Sequence, residues 1–149
     1  MTARLNDTTL SVERIIDAPI EMVWRAWTEP DLIKEWWGPD GYSTTILKME
    51  VRTEGVWELI MHGPDGTDFS NYTVFKEIVK HEKIVYRHES EPKFTTTALF
   101  KAIGSKTEMV WTMVFDTKED LEGAIKNYGA SEGLAQNIIK LENFLKQLK

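Results

Sequence analysis

The C-terminal stretch from Ser131 to Lys149 constrains the fold more than any other part of the chain. Leu134, Ile138, Leu141, Leu145 and Leu148 step by four, three, four and three, the spacing of one face of an α-helix. Glu132, Gln136, Lys140, Asn143 and Lys146 fall on the opposite side. At about 1.5 Å per residue such a helix is roughly 27 Å long, and it needs an apolar surface of similar length to lie on. Asn137 interrupts the stripe. A buried amide without partners costs about 1–3 kcal/mol. Asn137 is therefore expected to meet a protein polar group, water or a ligand, unless that flank of the helix faces solvent. Gly133, one turn earlier, leaves room either for close approach of the sheet or for a ligand.

The rest of the chain reads as the surface that this helix needs. Residues 1–7 are polar and are expected to fray. Thr9 to Ile16 alternates and is rich in β-branched residues, the pattern of a strand. Asp17-Ala-Pro19 signals a helix carrying Val23, Trp24 and Trp27. Thr28-Glu-Pro-Asp31 signals a second helix, capped by Thr28 and carrying Leu32, Ile33, Trp36 and Trp37. It stops at the turn Gly38-Pro-Asp-Gly41.

Six strands are then predicted, over 42–51, 55–62, 69–79, 84–88, 94–103 and 107–115, with Gly63-Pro-Asp-Gly66 as a strong hairpin signal. Trp57, Leu59 and Met61 share one face, as do Thr107, Met109, Trp111, Met113 and Phe115. One apolar and one wet face is the signature of an antiparallel sheet covered on one side. A short helix over 119–127 precedes the last one. Hairpin-linked strands with segregated helices argue an α+β fold. No linker, repeat or low-complexity tract divides residues 1–149, so one domain is expected.

Composition excludes several classes of function. Net charge is −6 and there is no long basic run, which argues against nucleic acid or an anionic membrane as the main partner. The chain has no cysteine, so disulfides, thiol catalysis and thiolate metal sites are excluded, and a reducing cytoplasm suits it. The N-terminus has no apolar run of signal-peptide type, and no stretch is long and apolar enough to span a membrane. Six Trp, six Phe and four Tyr either build a rich core or line a pocket.

At Asp17-Ala-Pro-Ile-Glu-Met-Val-Trp24 and Trp27-Thr-Glu-Pro-Asp-Leu-Ile-Lys-Glu-Trp-Trp-Gly-Pro39 the sequence resembles a known family. These are the bacterial relatives of the activator of the ninety-kilodalton heat-shock protein ATPase, within the SRPBCC or START-like superfamily. Gly63-Pro-Asp-Gly66, Phe75-Lys-Glu-Ile78 before Ile84-Val-Tyr86, Thr107, Glu132-Gly-Leu-Ala-Gln136 and Leu141-Glu-Asn-Phe-Leu145 follow in the family's order, so the resemblance spans roughly residues 9–148. It implies a helix-grip fold, a strongly curved seven-stranded antiparallel sheet wrapped around the long C-terminal helix, with a cavity between them. The chain departs from the family pattern at Thr73, where many relatives have Gly, and such a side chain is expected to narrow the cavity mouth. Members of one fold carry many functions, so the resemblance speaks to architecture more than activity.

Few residues invite chemistry. His62 and His81 read as surface residues. His88 shares strand parity with Ile84 and Tyr86 and is expected to point inward near one end of the cavity, as a partnered histidine in preference to a catalytic one. No metal-ligand spacing, phosphate loop or nucleophile motif is present, so no catalytic residue, metal or cofactor is assigned. Asp65 and Asp68 read as turn residues. Trp36 and Trp37 are favoured as joint anchors of the short helices, although adjacent helix positions diverge by about 100° and one of them could line the cavity entrance. The cavity candidates are Trp37, Trp57, Met61, Tyr86, His88, Phe100, Trp111, Met113, Tyr128, Leu134, Asn137, Ile138 and Leu141.

The first functional reading is binding of a small hydrophobic or aromatic ligand, oriented by Asn137, Tyr86 or His88. The alternative is a protein-interaction, co-chaperone-like module that activates a partner ATPase through an apolar patch including Trp36 or Trp37. A third is a minor cyclase- or hydrolase-type enzyme. A monomer or homodimer suits any of them.

Overall fold

The computed structural model describes residues 2–148. Eight strands form one open antiparallel sheet: β1 (Thr2–Arg4), β2 (Thr9–Ile16), β3 (Ser43–Met49), β4 (Val56–His62), β5 (Asp68–Val79), β6 (Lys83–His88), β7 (Phe94–Ile103) and β8 (Lys106–Phe115). Their order across the sheet is β1-β2-β8-β7-β6-β5-β4-β3. Every neighbouring pair is antiparallel, and β3 to β8 follow one another as hairpins. The last strand returns to pair with β2, with Val12 opposite Trp111. Register shifts at Ile46/Lys48 and Phe75/Glu77 insert extra residues, which sharpen strand twist and help the sheet to curl.

The eighth strand is β1. Residues 1–7 read as a frayed terminus by composition, but Thr2 to Arg4 pairs with β2. Polar sequence does not preclude an edge strand, whose hydrogen bonds are made by backbone.

Two helices fill the gap between β2 and β3. In α1 (Ile20–Thr28), Val23, Trp24, Ala26 and Trp27 are buried. The sequence reading of Thr28 as a cap for the next helix is overturned: Thr28 ends α1, and its hydroxyl donates back to the Trp24 carbonyl at 2.8 Å. The next helix, α2 (Pro30–Ile33), starts from Glu29 without a side-chain cap. It tightens into a turn in which the Trp36 and Trp37 amides both donate to the Ile33 carbonyl.

The long helix α4 (Ala130–Leu148) lies on the concave face, preceded by α3 (Lys118–Tyr128). Gly129 separates them with φ of 60°, a left-handed conformation that costs glycine little. Leu134, Ile138, Leu141 and Leu145 are buried, as the stripe predicts. Leu148 is 39% exposed, so the stripe ends one step short, at Leu145. α3 packs Leu121 and Ala124 on Leu10 and Phe115, a smaller core beside the main one.

Candidate functional site

The main core runs between sheet and α4, and at one end it is not filled. A cavity of about 480 Å³ remains there. Its walls follow strand parity. β4 contributes Trp57, Leu59 and Met61, and β5 contributes Phe69, Asn71 and Thr73. Tyr86 and His88 come from β6, Phe94 from β7, and Trp111, Met113 and Phe115 from β8. α4 closes the cavity with Ala130, Gly133, Leu134 and Asn137, and α3 adds Ala124 and Tyr128. Lining residues Asp68, Ser70, Glu91 and Tyr128 are exposed and mark its mouth.

The segment from Trp36 to Tyr42 forms one side of the cavity, and α4 holds it there. The Gly38 amide donates to Asn137 Oδ1 at 3.2 Å, while Asn137 Nδ2 donates to the Trp36 carbonyl at 2.7 Å. The Asp40 amide donates to Gln136 Oε1 at 3.1 Å. Lys140 Nζ donates to the carbonyls of Tyr42 and Pro39, at 3.2 and 3.4 Å. Burial lowers the Lys140 pKa, with Asp40 acting in the opposite direction. Asn137 breaks the apolar stripe because its two ends are matched to one donor and one acceptor on a loop that has no regular structure of its own.

This latch fixes two tryptophans in different roles. Trp36 is fully buried and its indole N–H donates to the Ala26 carbonyl at 3.0 Å, tying the turn to α1. Trp37 turns into the cavity wall, 4.8 Å from the Trp57 ring centre and 5.5 Å from that of Trp111. The favoured reading of both as anchors is correct for Trp36 alone, and the divergence of adjacent turn positions is the reason. Neither forms an exposed patch: Trp36 is 0% and Trp37 9% exposed. The indole N–H groups of Trp27, Trp57 and Trp111 are buried without a hydrogen-bond partner among the described residues.

The polar groups gather at the other side of the cavity. His88 Nδ1 lies 3.0 Å from the Pro92 carbonyl oxygen and Nε2 lies 2.5 Å from Asn71 Oδ1. The ring stacks on Phe94 at 4.5 Å. Burial pushes the His88 pKa below the ordinary histidine value, against the raising effect of the Pro92 and Ser90 backbone. Both ring nitrogens are engaged within the protein, so the arrangement orients His88 and leaves it no free nitrogen to act as a base. Tyr86 is buried, and burial pushes its phenol far above the usual range, the Thr96 hydroxyl opposing the shift. Among the described residues no group of three or more His, Asp or Glu side chains is placed to hold a metal ion.

Of the candidates read from the sequence, Trp37, Trp57, Met61, Tyr86, His88, Trp111, Met113, Tyr128, Leu134 and Asn137 come together around this cavity. Phe100, Ile138 and Leu141 do not line it. They are buried in the solid part of the core, where Phe100 meets Trp24 and Trp27 edge-on at 5.6 and 5.7 Å. Parity and helix face place a side chain on the inward surface but not at one end of it. Thr73 is only 1% exposed, between Trp57 and His88 on neighbouring strands, and so belongs to the inner wall and not to the mouth. His62 sits at the surface, bridging Thr45 Oγ1 and Asp68 Oδ1 at 2.8 Å each. His81 is half-buried against the Trp24 ring.

Some wall residues escaped the sequence reading. Phe69 and Asn71 share parity with Thr73 and Phe75, and Phe94 with Ala98 and Phe100, so extending the alternation would have found them. Tyr42, Glu91 and Pro92 lie outside the strands, where no periodicity speaks.

Known proteins agree with this architecture. A protein of Nitrosomonas europaea is 24% identical with a TM-score of 0.83, over 95% of this chain and 96% of that one. One from Arthrobacter aurescens has a TM-score of 0.91 at 21% identity, over 99% and 91%. An AHSA1-like protein from Aeromonas hydrophila has a TM-score of 0.74 at 20% identity, over 94% and 93%. At such identities these likenesses establish the helix-grip fold alone. No curated protein matches the sequence. No helix among the described residues is long and apolar enough to cross a membrane. The family model described as Activator of Hsp90 ATPase homolog 1-like protein matches residues 17–146. The chain therefore belongs to the Activator of Hsp90 ATPase homolog 1-like family, in the SRPBCC or START-like group of helix-grip folds.

Proposed function

We propose that this protein binds a small, mainly apolar or aromatic molecule between its sheet and α4. The observation that carries the reading is the cavity of about 480 Å³ walled by Trp37, Trp57, Trp111, Met113 and Leu134. That volume lies within the roughly 300–1,000 Å³ of ordinary small-molecule pockets. Rings supply large contact area, and Met61 and Met113 supply adaptable surface. His88 and Asn71 offer a polar end against which a ligand can be oriented.

The reading as a module that activates a partner ATPase has less support, because the tryptophans it would expose are buried. The enzymatic reading rested on His88, whose ring nitrogens are both engaged.

Native mass spectrometry of protein from its own source, with the denatured mass as reference, tests the proposal. A non-covalent adduct is expected on the parent and not on Leu134→Trp, whose larger side chain fills the cavity. A bare parent that also takes up no apolar probe would defeat it.

A further inference from the structure

Two hydrogen-bond donors of the cavity wall have no acceptor. Trp57 and Trp111 line the cavity and are 1% and 2% exposed, and the indole N–H of each is buried without a partner among the described residues. A buried donor left unpaired costs about 1–3 kcal/mol. Neither ring can turn toward another partner without displacing its neighbours. Trp57 stacks on Phe75 at 5.7 Å with Tyr86 edge-on at 5.4 Å, and Trp111 meets Trp27 at 4.7 Å and Trp37 at 5.5 Å.

The amide groups of the wall are already engaged. Asn137 Oδ1 takes the Gly38 amide, and Asn71 is held between His88 and the Phe69 carbonyl. Nor does the wall offer a charge. No lysine or arginine lines it. Asp68 has strand parity opposite to Phe69, Asn71 and Thr73 and is held by His62 at 2.8 Å on the outer face of the sheet. Glu91 is an exposed loop residue, and burial favours the neutral form of His88. The missing partner is thus an uncharged acceptor, and the unfilled space that both tryptophans adjoin is where one can enter.

We infer that the cavity selects a neutral molecule whose apolar or aromatic body carries an oxygen acceptor, such as a carbonyl, that takes the indole N–H of Trp57 or Trp111. This rests on the proposal that the cavity is a binding site and adds the hydrogen-bonding class of what it holds. A hydrocarbon fills the space and leaves both donors unpaired. A carboxylate accepts from them but gives up the hydration of its charge with no cation to replace it.

Three naphthalene probes substituted at the same position test the inference: the methyl ketone, the isopropyl hydrocarbon and the carboxylate. Binding is followed by calorimetry. In a purely apolar cavity the hydrocarbon binds tightest, because the ketone loses its hydration. Here the ketone is expected to bind about fivefold tighter than the hydrocarbon, with the carboxylate weakest. Proton–nitrogen correlation spectra of isotope-labelled protein read the contact directly. The ketone should move the Trp57 or Trp111 indole proton further downfield than the hydrocarbon does. Trp27, whose N–H is also unpaired but which does not line the cavity, is the internal control and should answer both probes alike. Trp57→Phe and Trp111→Phe assign the signals, and loss of the responding N–H should bring the ketone's advantage below about twofold. Where a variant does not fold, the affinities and indole shifts of the parent decide.

A hydrocarbon that binds as tightly as the ketone, or Trp57 and Trp111 signals that answer both alike, would overturn the acceptor inference and leave the cavity reading standing. Tightest binding by the carboxylate would overturn it as well. Failure of all three probes to bind would remove the cavity reading and this inference with it.

Discussion

The two ends of the sheet–helix interface are built from similar residues and end in different states. At one end α1 and its tryptophans wedge between sheet and helix: Trp27 stands edge-on to Trp36, Phe100 and Trp111 at 5.2, 5.7 and 4.7 Å. Ile138, Leu141 and Leu145 meet that end and are all but fully buried. At the other end the sheet is no less aromatic, with Trp57, Tyr86, Phe94 and Trp111, yet a cavity remains. The contrast lies in what faces the sheet. The first turns of α4 present Ala130, Gly133, Leu134 and Asn137, and α3 reaches the cavity only through Ala124 and Tyr128. Aromatic content therefore does not decide whether such an interface is core or container. The size of the helix side chains and the presence of a wedge decide it.

The sharpest way to break this contrast is a charge in the solid end. Leu141→Asp should abolish cooperative folding, since an unpaired carboxylate in that site costs more than about 4 kcal/mol. A cooperative thermal melt near the parent's midpoint would show that the solid end is not solid. Asn137→Leu should be next in size. It leaves the Gly38 amide and the Trp36 carbonyl without their partners, at a cost of about 2–4 kcal/mol by urea unfolding. It should also change the fluorescence of Trp37 and weaken probe binding, because the latched loop forms a cavity wall. Ile138→Ala, the neighbouring position, should cost about 2–5 kcal/mol with probe binding retained.

A matched pair sharpens the contrast further. Leu134 and Leu141 lie on one face, two turns apart, and both are at most 5% exposed. Truncation to alanine removes the same atoms from each. At Leu141 it opens a new void in packed surroundings, whereas at Leu134 it enlarges a cavity that already exists. The cavity penalty applies mainly to the first, so Leu141→Ala should cost about 1–2 kcal/mol more than Leu134→Ala. Equal costs would mean that the void is closed by side-chain motion in solution.

These variants also show how far sequence carries. The helix stripe, the strands and the wet and apolar faces were legible because periods of about 3.6 and 2 record which side of an element is buried. Asn137 was legible as an anomaly, because a lone amide in a leucine stripe demands partners, but its partners are backbone groups of a loop about a hundred residues away. Periodicity carries no information about position along the interface, so Phe100 and Trp111 look alike in sequence while only Trp111 lines the cavity.

The smallest effect expected is a pH dependence belonging to the open end alone. Burial holds the His88 pKa below the ordinary value of about 6.5, so the unfolded chain takes up this proton more readily than the folded one. Stability from His88 is thus fully present above about pH 6.5 and is lost as pH falls through the lower, folded-state value. Glu50, Asp65 and Asp116 have lowered pKa values too, through the Val56 amide, the Thr67 amide and Arg87. Their contributions are lost only below the ordinary carboxylate range near about pH 4, beneath the range in which that of His88 is lost. Urea unfolding of the parent between about pH 7 and about pH 5 should therefore show stability declining with acid, and His88→Gln should flatten that slope. Ile138→Ala, which alters only the solid end, should lower stability by the same amount at every pH in the window. If His88→Gln keeps the parent's slope, burial of this histidine does not set the pH dependence of the open end.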